Sequence, residues 1–152
     1  NLGRWGFPII RYKTGDIVRT TTQRCDCGRT SLRFEGGILG RADDMVTVRG
    51  VNVFPTQIEE QILRDKRLAG NYQVVVTRDG HLDNVEVRCE LQHALSGKLS
   101  PVEIQAIAKE LQHHIKTIIG ISTKITVMEH DSIPRTLTGK AKRVLDERPV
   151  QN

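Results

Sequence analysis

A chain of 152 residues with 38% hydrophobic and 27% charged side chains has the size of one ordinary domain, or of a small domain joined to part of another. No apolar run approaches the roughly 18 residues a membrane-spanning helix needs. The net charge of +5 raises nucleic acid as a partner. Yet residues 1–54 carry +4 and the remainder +1, with acids interleaved throughout, unlike the dense basic block of a nucleic-acid tail. Three cysteines, two of them too close for easy pairing, argue against a secreted disulfide framework and for a reducing cytoplasm. The start at Asn1-Leu2-Gly3, with no initiator Met and no signal-peptide pattern, reads as a fragment of a longer protein.

Residues 1–40 read as short strands and turns without a self-sufficient core. Phe7–Ile10 and Ile17–Thr22 are strand-like, separated by the Thr14-Gly15-Asp16 turn, and Gly36, Gly37 and Gly40 punctuate the approach to residue 41. Met45–Val48 is a short strand, and Gly50–Phe54 a loop leading to Pro55. Pro55 suits the first turn of a helix whose apolar face is Ile58, Ile62 and Leu63. Tyr72–Thr77 is a strand, Asp79-Gly80 a hairpin turn, and Val85, Val87, Cys89 and Leu91 alternate with polar residues as in a half-buried antiparallel strand. Ser100-Pro101-Val102-Glu103 is a capping box. It opens a helix marked by Ile104, Ile107, Ala108, Leu111, Ile115 and Ile118 and closed by Gly120. Lys124–Met128 is a last strand, and residues 132–148 are polar, basic and loop-like, with a short helix near the end. The pattern predicts an α+β fold: a small C-terminal domain with a central, mostly antiparallel sheet and two packing helices, preceded by a β-rich strip.

Four segments carry candidate chemistry. Tyr12-Lys13-Thr14-Gly15-Asp16 is a tight glycine turn projecting a carboxylate, which accepts two hydrogen bonds and so suits sugar hydroxyls. An ordinary turn aspartate is the commoner use of such a pattern. Gly40-Arg41-Ala42-Asp43-Asp44 lies where the loose and the dense parts meet. Arg41 could reach a phosphate or ribose and Asp43 sits where a chain would pivot, the alternative being a solvated linker with a local salt bridge. In Arg49-Gly50-Val51-Asn52, Gly50 allows close approach of a ligand or simply makes a structural turn. Pro134–Arg143 places Lys140 beside Gly139, a mobile point charge suited to a developing oxyanion or phosphate, or a basic surface tail. It lacks the upstream glycine spacing of a Walker loop. Cys25 and Cys27 could supply half of a tetrahedral zinc site, or be two reduced thiols on a tight turn. The five histidines, His113-His114 included, read as solvated.

Taken in order, these segments resemble the adenylate-forming superfamily of acyl-CoA synthetases, luciferases and peptide-synthetase adenylation domains. Gly40–Met45, Arg49–Glu59 and Gly139–Val144 are similar to its phenylacetate–CoA ligase branch, and the resemblance covers nearly the whole chain. It implies residues 1–40 as the edge of a large adenylating domain, 41–44 as a hinge and 45–152 as a mobile C-terminal domain. It implies Asp16 on the ribose hydroxyls, Arg41 on ribose and phosphate, Asp43 as the hinge and Lys140 as the catalytic residue of adenylation. Arg49, Gly50, Val51 and Asn52 would border the CoA channel. The substrates and cofactors implied are a carboxylic acid, ATP, Mg2+ and CoA, mostly bound by the large domain, in a cytoplasmic enzyme that forms a homodimer at full length. The isolated chain is expected to be catalytically silent. A non-catalytic α+β binding module, or a superfamily member that adenylates or transfers to a non-CoA acceptor, are the competing readings.

Overall fold

The computed structural model describes residues 12–135 and 143–149. The chain divides into two compact units, Asn1–Asp43 and Asp44–Asn152.

Among the described residues the first unit is a two-stranded antiparallel ribbon of β1 (Asp16–Thr21) and β2 (Arg33–Arg41). Its register runs from Asp16 opposite Arg41 to Thr21 opposite Arg33, with irregularities on either side of Val18. Phe7–Ile10, expected as a strand, lies outside the described residues. A 3-10 turn, Ala42–Asp44, follows β2.

The second unit begins with a small hairpin of β3 (Val46–Val48) and β4 (Val51–Val53). The sequence pattern predicts a loop over Gly50–Phe54. The structure pairs Val48 with Val51, so Arg49 and Gly50 alone make the turn. Both have positive φ, 50° and 78°, the backbone demanded by the two-residue turns that match strand twist. Glycine takes this conformation at little cost and Arg49 does not. Helix α1 (Pro55–Arg64) starts with proline at its first position, and the Gln57 side chain accepts from the Phe54 N–H. Ile58, Gln61 and Ile62 turn inward, whereas Leu63 is exposed and lies over Gly70.

The main sheet has the order β7-β6-β5-β8. Strands β5 (Leu68–Asp79) and β6 (Leu82–Leu91) form its antiparallel centre, closed by the Gly80-His81 turn. β7 (Lys124–Met128) adds to β6 in parallel, and β8 (Val144–Asp146) adds to β5 in parallel. The α+β class follows the sequence pattern. The strand β8 was not foreseen: three residues carry no periodic signal, and β5 supplies the partner that makes them a strand. Helix α2 (Pro101–Ile119) is capped as the sequence indicates. The Ser100 hydroxyl accepts from the Glu103 N–H, the Glu103 carboxylate accepts from the Ser100 N–H, and Gly120 ends the helix in the left-handed conformation. A cap of this kind is worth about 1 kcal/mol.

The core lies between the helices and one face of the sheet. Val85, Val87, Cys89 and Leu91 alternate inward from β6 to meet Ile107, Leu111, Ile115 and Ile119 of α2 and Ile58 and Ile62 of α1. The buried stripe of α2 ends on Ile119 rather than on Ile118, which is half exposed. The polar residues of β6 occupy the other face, where Glu86 binds Thr126 Oγ1, Lys124 and Arg88.

Candidate functional site

The residues singled out from the sequence fall into three groups. The first is at the end of the ribbon. Gly15, at φ 77°, turns the chain into β1, and the Asp16 N–H donates to Thr14 Oγ1 at 3.3 Å. The Ala42 N–H donates to the Gly15 carbonyl at 2.7 Å, which fixes the end of β2 against this turn. The two strands set Asp16 and Arg41 directly opposite each other, with a guanidinium nitrogen 3.7 Å from the carboxylate. Both side chains remain partly open to solvent. The structure thus joins two residues that lie 25 positions apart in sequence. The pair offers a carboxylate acceptor and a cation side by side, the combination a ribose carrying a phosphate requires.

The second group is the β3–β4 turn. Asn52 Oδ1 accepts from the Thr47 hydroxyl at 2.9 Å. The Arg49 guanidinium donates to the Asp83 carbonyl at 2.7 Å and to Asn84 Oδ1 at 3.2 Å, at the start of β6. Asp83 in turn receives Arg78 and Arg148, whose hydrogen bonds outweigh burial and hold its carboxyl below the usual carboxylate range. Arg49 therefore ties the small hairpin to the large one. What the turn presents outward is its backbone, with no atom of the described residues within 4 Å of the place a Gly50 Cβ would occupy.

The third group is the basic segment near the C-terminus. Lys140, and the side chain of Asp43, lie outside the described residues. The residues on either side of the lysine segment are anchored. The Ile133 N–H donates to Glu90 Oε1 at 2.7 Å. The Arg143 guanidinium lies 4.4 Å from the centroid of the Tyr72 ring, 3.2 Å from Glu59, and donates to the Gly70 carbonyl. The buried Tyr72 hydroxyl donates to the Pro55 carbonyl at 3.0 Å, and burial first, then Glu59, pushes its pKa well above the usual phenol range. Sequence reasoning missed Glu90, Tyr72 and Glu59. Glu90 sits at an outward position of an alternating strand, and no local signal says that a later segment covers it.

Cys25 and Cys27 lie on a tight turn closed by a Gly28 N–H to Cys25 carbonyl bond of 2.8 Å, with their sulfurs 3.0 Å apart. The hydrogen bonds from Cys27, followed by the Arg33 charge, lower the Cys25 thiol below its ordinary value. Among the described residues no group of three or more His, Cys, Asp or Glu side chains could hold a metal ion. Two thiols fill only half of the tetrahedral set zinc takes in structural sites. His113 and His114 are exposed on α2, as expected. Among the described residues no helix is long and apolar enough to cross a membrane.

Comparison with known proteins identifies the class. Residues 50–148 match the AMP-binding enzyme C-terminal domain, and the chain belongs to that family. Among its relatives is phenylacetate-coenzyme A ligase of Aromatoleum evansii, 44% identical over 99% of this chain but only 33% of its own length. The structure of a domain of phenylacetate-coenzyme A ligase from Bacteroides vulgatus ATCC 8482 is similar at a TM-score of 0.64, with 28% identity over 72% of this chain and 97% of that one. 2-Hydroxyisobutyryl-CoA ligase in its postadenylation state, complexed with 2-HIB-AMP, is similar at a TM-score of 0.76, with 32% identity over 92% of this chain and 29% of that one. The chain thus spans about one third of the length of the curated relative it matches.

Proposed function

We propose that this chain is the C-terminal part of an ATP-dependent acid–CoA ligase, with phenylacetate or a related aryl or acyl acid as substrate. Residues 1–40 would belong to the large adenylating domain, 41–44 would form the hinge, and 45–152 the mobile domain. The observation that carries the reading is the similarity to a phenylacetate-coenzyme A ligase along 99% of the chain. The Asp16–Arg41 pair supports it, since it offers a nucleotide both an acceptor and a cation.

In the reaction proposed, a carboxylate oxygen of the acid bonds to the α-phosphorus of ATP. The bond to the β-phosphate breaks and pyrophosphate leaves. The CoA thiol then loses its proton to solvent as its sulfur attacks the acyl carbon, and AMP leaves with the electron pair of the broken C–O bond. Asp16 would accept from the ribose hydroxyls and Arg41 would face ribose and phosphate. Lys140 would lie along the negative charge that develops between the acid and the nucleotide, where a fixed cation stabilises the transition state more than the ground state. Mg2+ would neutralise the ATP phosphates. The Gly50 backbone would border the CoA thiol arm, Arg49 acting through Asp83 and Asn84 to hold the turn. Asp43 would be the pivot between the two half-reactions. The cytoplasm is the proposed compartment, in keeping with three free cysteines.

The test is Lys140→Ala in the full-length protein. ATP–pyrophosphate exchange with phenylacetate should fall about 100-fold, the scale on which a single charge-stabilising group acts. Thioester formation from supplied phenylacetyl-adenylate and CoA should change by less than about threefold. Equal loss of both half-reactions would refute the assignment of Lys140.

A further inference from the structure

Glu90 is a charged side chain with no exposed surface, on the sheet face away from the hydrophobic core. One carboxylate oxygen is well used: it accepts from the Ile133 N–H at 2.7 Å and from Asn71 Nδ2 at 3.0 Å. Among the described residues the other accepts no hydrogen bond, and Arg135 stands 3.7 Å from it. A buried carboxylate left half satisfied is costly, and a neutral glutamine could serve Ile133 equally well. What the charge adds is attraction for Arg135, which also binds Asp131 at 2.6 Å.

The strand opposite Glu90 is irregular. Leu68 pairs with Leu91 and Tyr72 with Cys89, so three residues of β5, Ala69, Gly70 and Asn71, face Glu90 alone. Bulges of this kind release backbone groups from the ladder and re-aim side chains, and they recur beside active sites. Here the released groups have partners. Asn71 Nδ2 donates to the Ile133 carbonyl as well as to Glu90, and the Gly70 carbonyl accepts from Arg143. Tyr72, the next residue, stacks under that same arginine. Ile133 and Arg135 precede the lysine-bearing segment and Arg143 follows it. Three consecutive residues of β5, with Glu90 behind them, therefore hold the chain on both sides of Lys140.

A catalytic cation acts at a rate set by how often its geometry is productive, and fixing the chain on both sides of it narrows that search. We infer that Glu90 and the Gly70–Tyr72 stretch of β5 form the positioning base of the lysine-bearing segment, and that they serve adenylation through Lys140. The inference rests on the adenylation role proposed for Lys140. Glu90 and Asn71 touch no substrate and are positioning residues.

The experiment uses the full-length ligase and three readouts: ATP–pyrophosphate exchange with phenylacetate, thioester formation from supplied phenylacetyl-adenylate and CoA, and the melting temperature. Glu90→Gln keeps the acceptor for Ile133 and removes the charge facing Arg135. It should lower kcat of exchange by about tenfold and leave thioester formation within about twofold, because only one half-reaction uses the lysine. In a Lys140→Ala background the same substitution should cost nothing further, since residues acting as a unit are not additive. Unchanged exchange, equal loss in both half-reactions, or a further tenfold loss on top of Lys140→Ala would each overturn the inference. If Glu90→Gln does not fold, Asn71→Ala removes only neutral hydrogen bonds and should show the same selectivity at about threefold. An Asn71→Ala enzyme without that selectivity overturns the inference as well. The two levels separate cleanly. If Lys140→Ala leaves exchange intact, the lysine assignment falls and takes this inference with it. If Lys140→Ala abolishes exchange while Glu90→Gln does not slow it, only the inference falls.

Discussion

The β1–β2 ribbon and the β7-β6-β5-β8 sheet both centre on an antiparallel strand pair, yet they keep their apolar side chains in opposite environments. In the ribbon, Phe34 and Ile38 remain 59% and 63% exposed. In the sheet, Val76, Val87 and Cys89 have no exposed surface, because α1 and α2 cover one face. A two-stranded ribbon held by hydrogen bonds alone is marginal in water, whereas a sheet covered by helices is not. The contrast teaches where each unit gets its stability. The second unit carries its own core. The first shows apolar side chains that await cover, as an edge of the larger domain proposed above would. Its Asp16–Arg41 pair is set by strand register rather than by a packed core.

The contrast can be broken most sharply through the cysteines. Burial first, then Asp65, pushes the Cys89 thiol up to about 12, while Cys25 is lowered by its bonds to Cys27 and by Arg33. Iodoacetamide at pH 7.5 should alkylate Cys25 or Cys27 at least about 100-fold faster than Cys89, since the thiolate is the nucleophile. Mass spectrometry of partly labelled native protein checks this, and early label on Cys89 would show that the core of the second unit opens readily.

Side-chain truncation comes next in size. Ile115→Ala, in the buried stripe of α2, should cost about 3 kcal/mol in urea unfolding of this chain. Phe34→Ala should cost no more than about 0.5 kcal/mol, as exposed substitutions do. In the full-length protein the Phe34→Ala cost should rise above roughly 1 kcal/mol if the ribbon is covered there, and an unchanged value would leave the large-domain edge without support.

Acid gives a smaller effect than the core truncation. Burial alone would raise the Glu86 carboxyl, but hydrogen bonds from Thr126, Lys124 and Arg88 override it and pull it from 4.5 to about 2. The folded value lies below the unfolded one, so the stabilisation is present above pH 4.5 and is lost as pH falls through about 2. Glu86→Gln should flatten the stability profile across that window, by about 1 kcal/mol after allowance for solvent screening. A profile as steep as that of the parent would show that other carboxylates govern the acid response.

Much of this was legible in the sequence. The capping box at Ser100, the proline at the start of α1 and the alternation of β6 are local patterns with local causes, and each element formed where its pattern lies. The segments around Asp16, Arg41, Gly50 and Lys140 were legible as motifs for the same reason: a tight turn or a glycine beside a charge is written in neighbouring residues. What sequence alone could not supply were the features that depend on distant partners. The strand β8 exists because Val74–Val76 lie beside it. Arg49 looked like a channel residue, and only the fold shows its guanidinium on Asp83 and Asn84. Glu90 looked like one more outward-facing charge. A carboxylate acquires its meaning from what is brought to it, here Ile133 and Arg135 from 43 and 45 residues further along the chain, and no periodicity in β6 encodes their arrival.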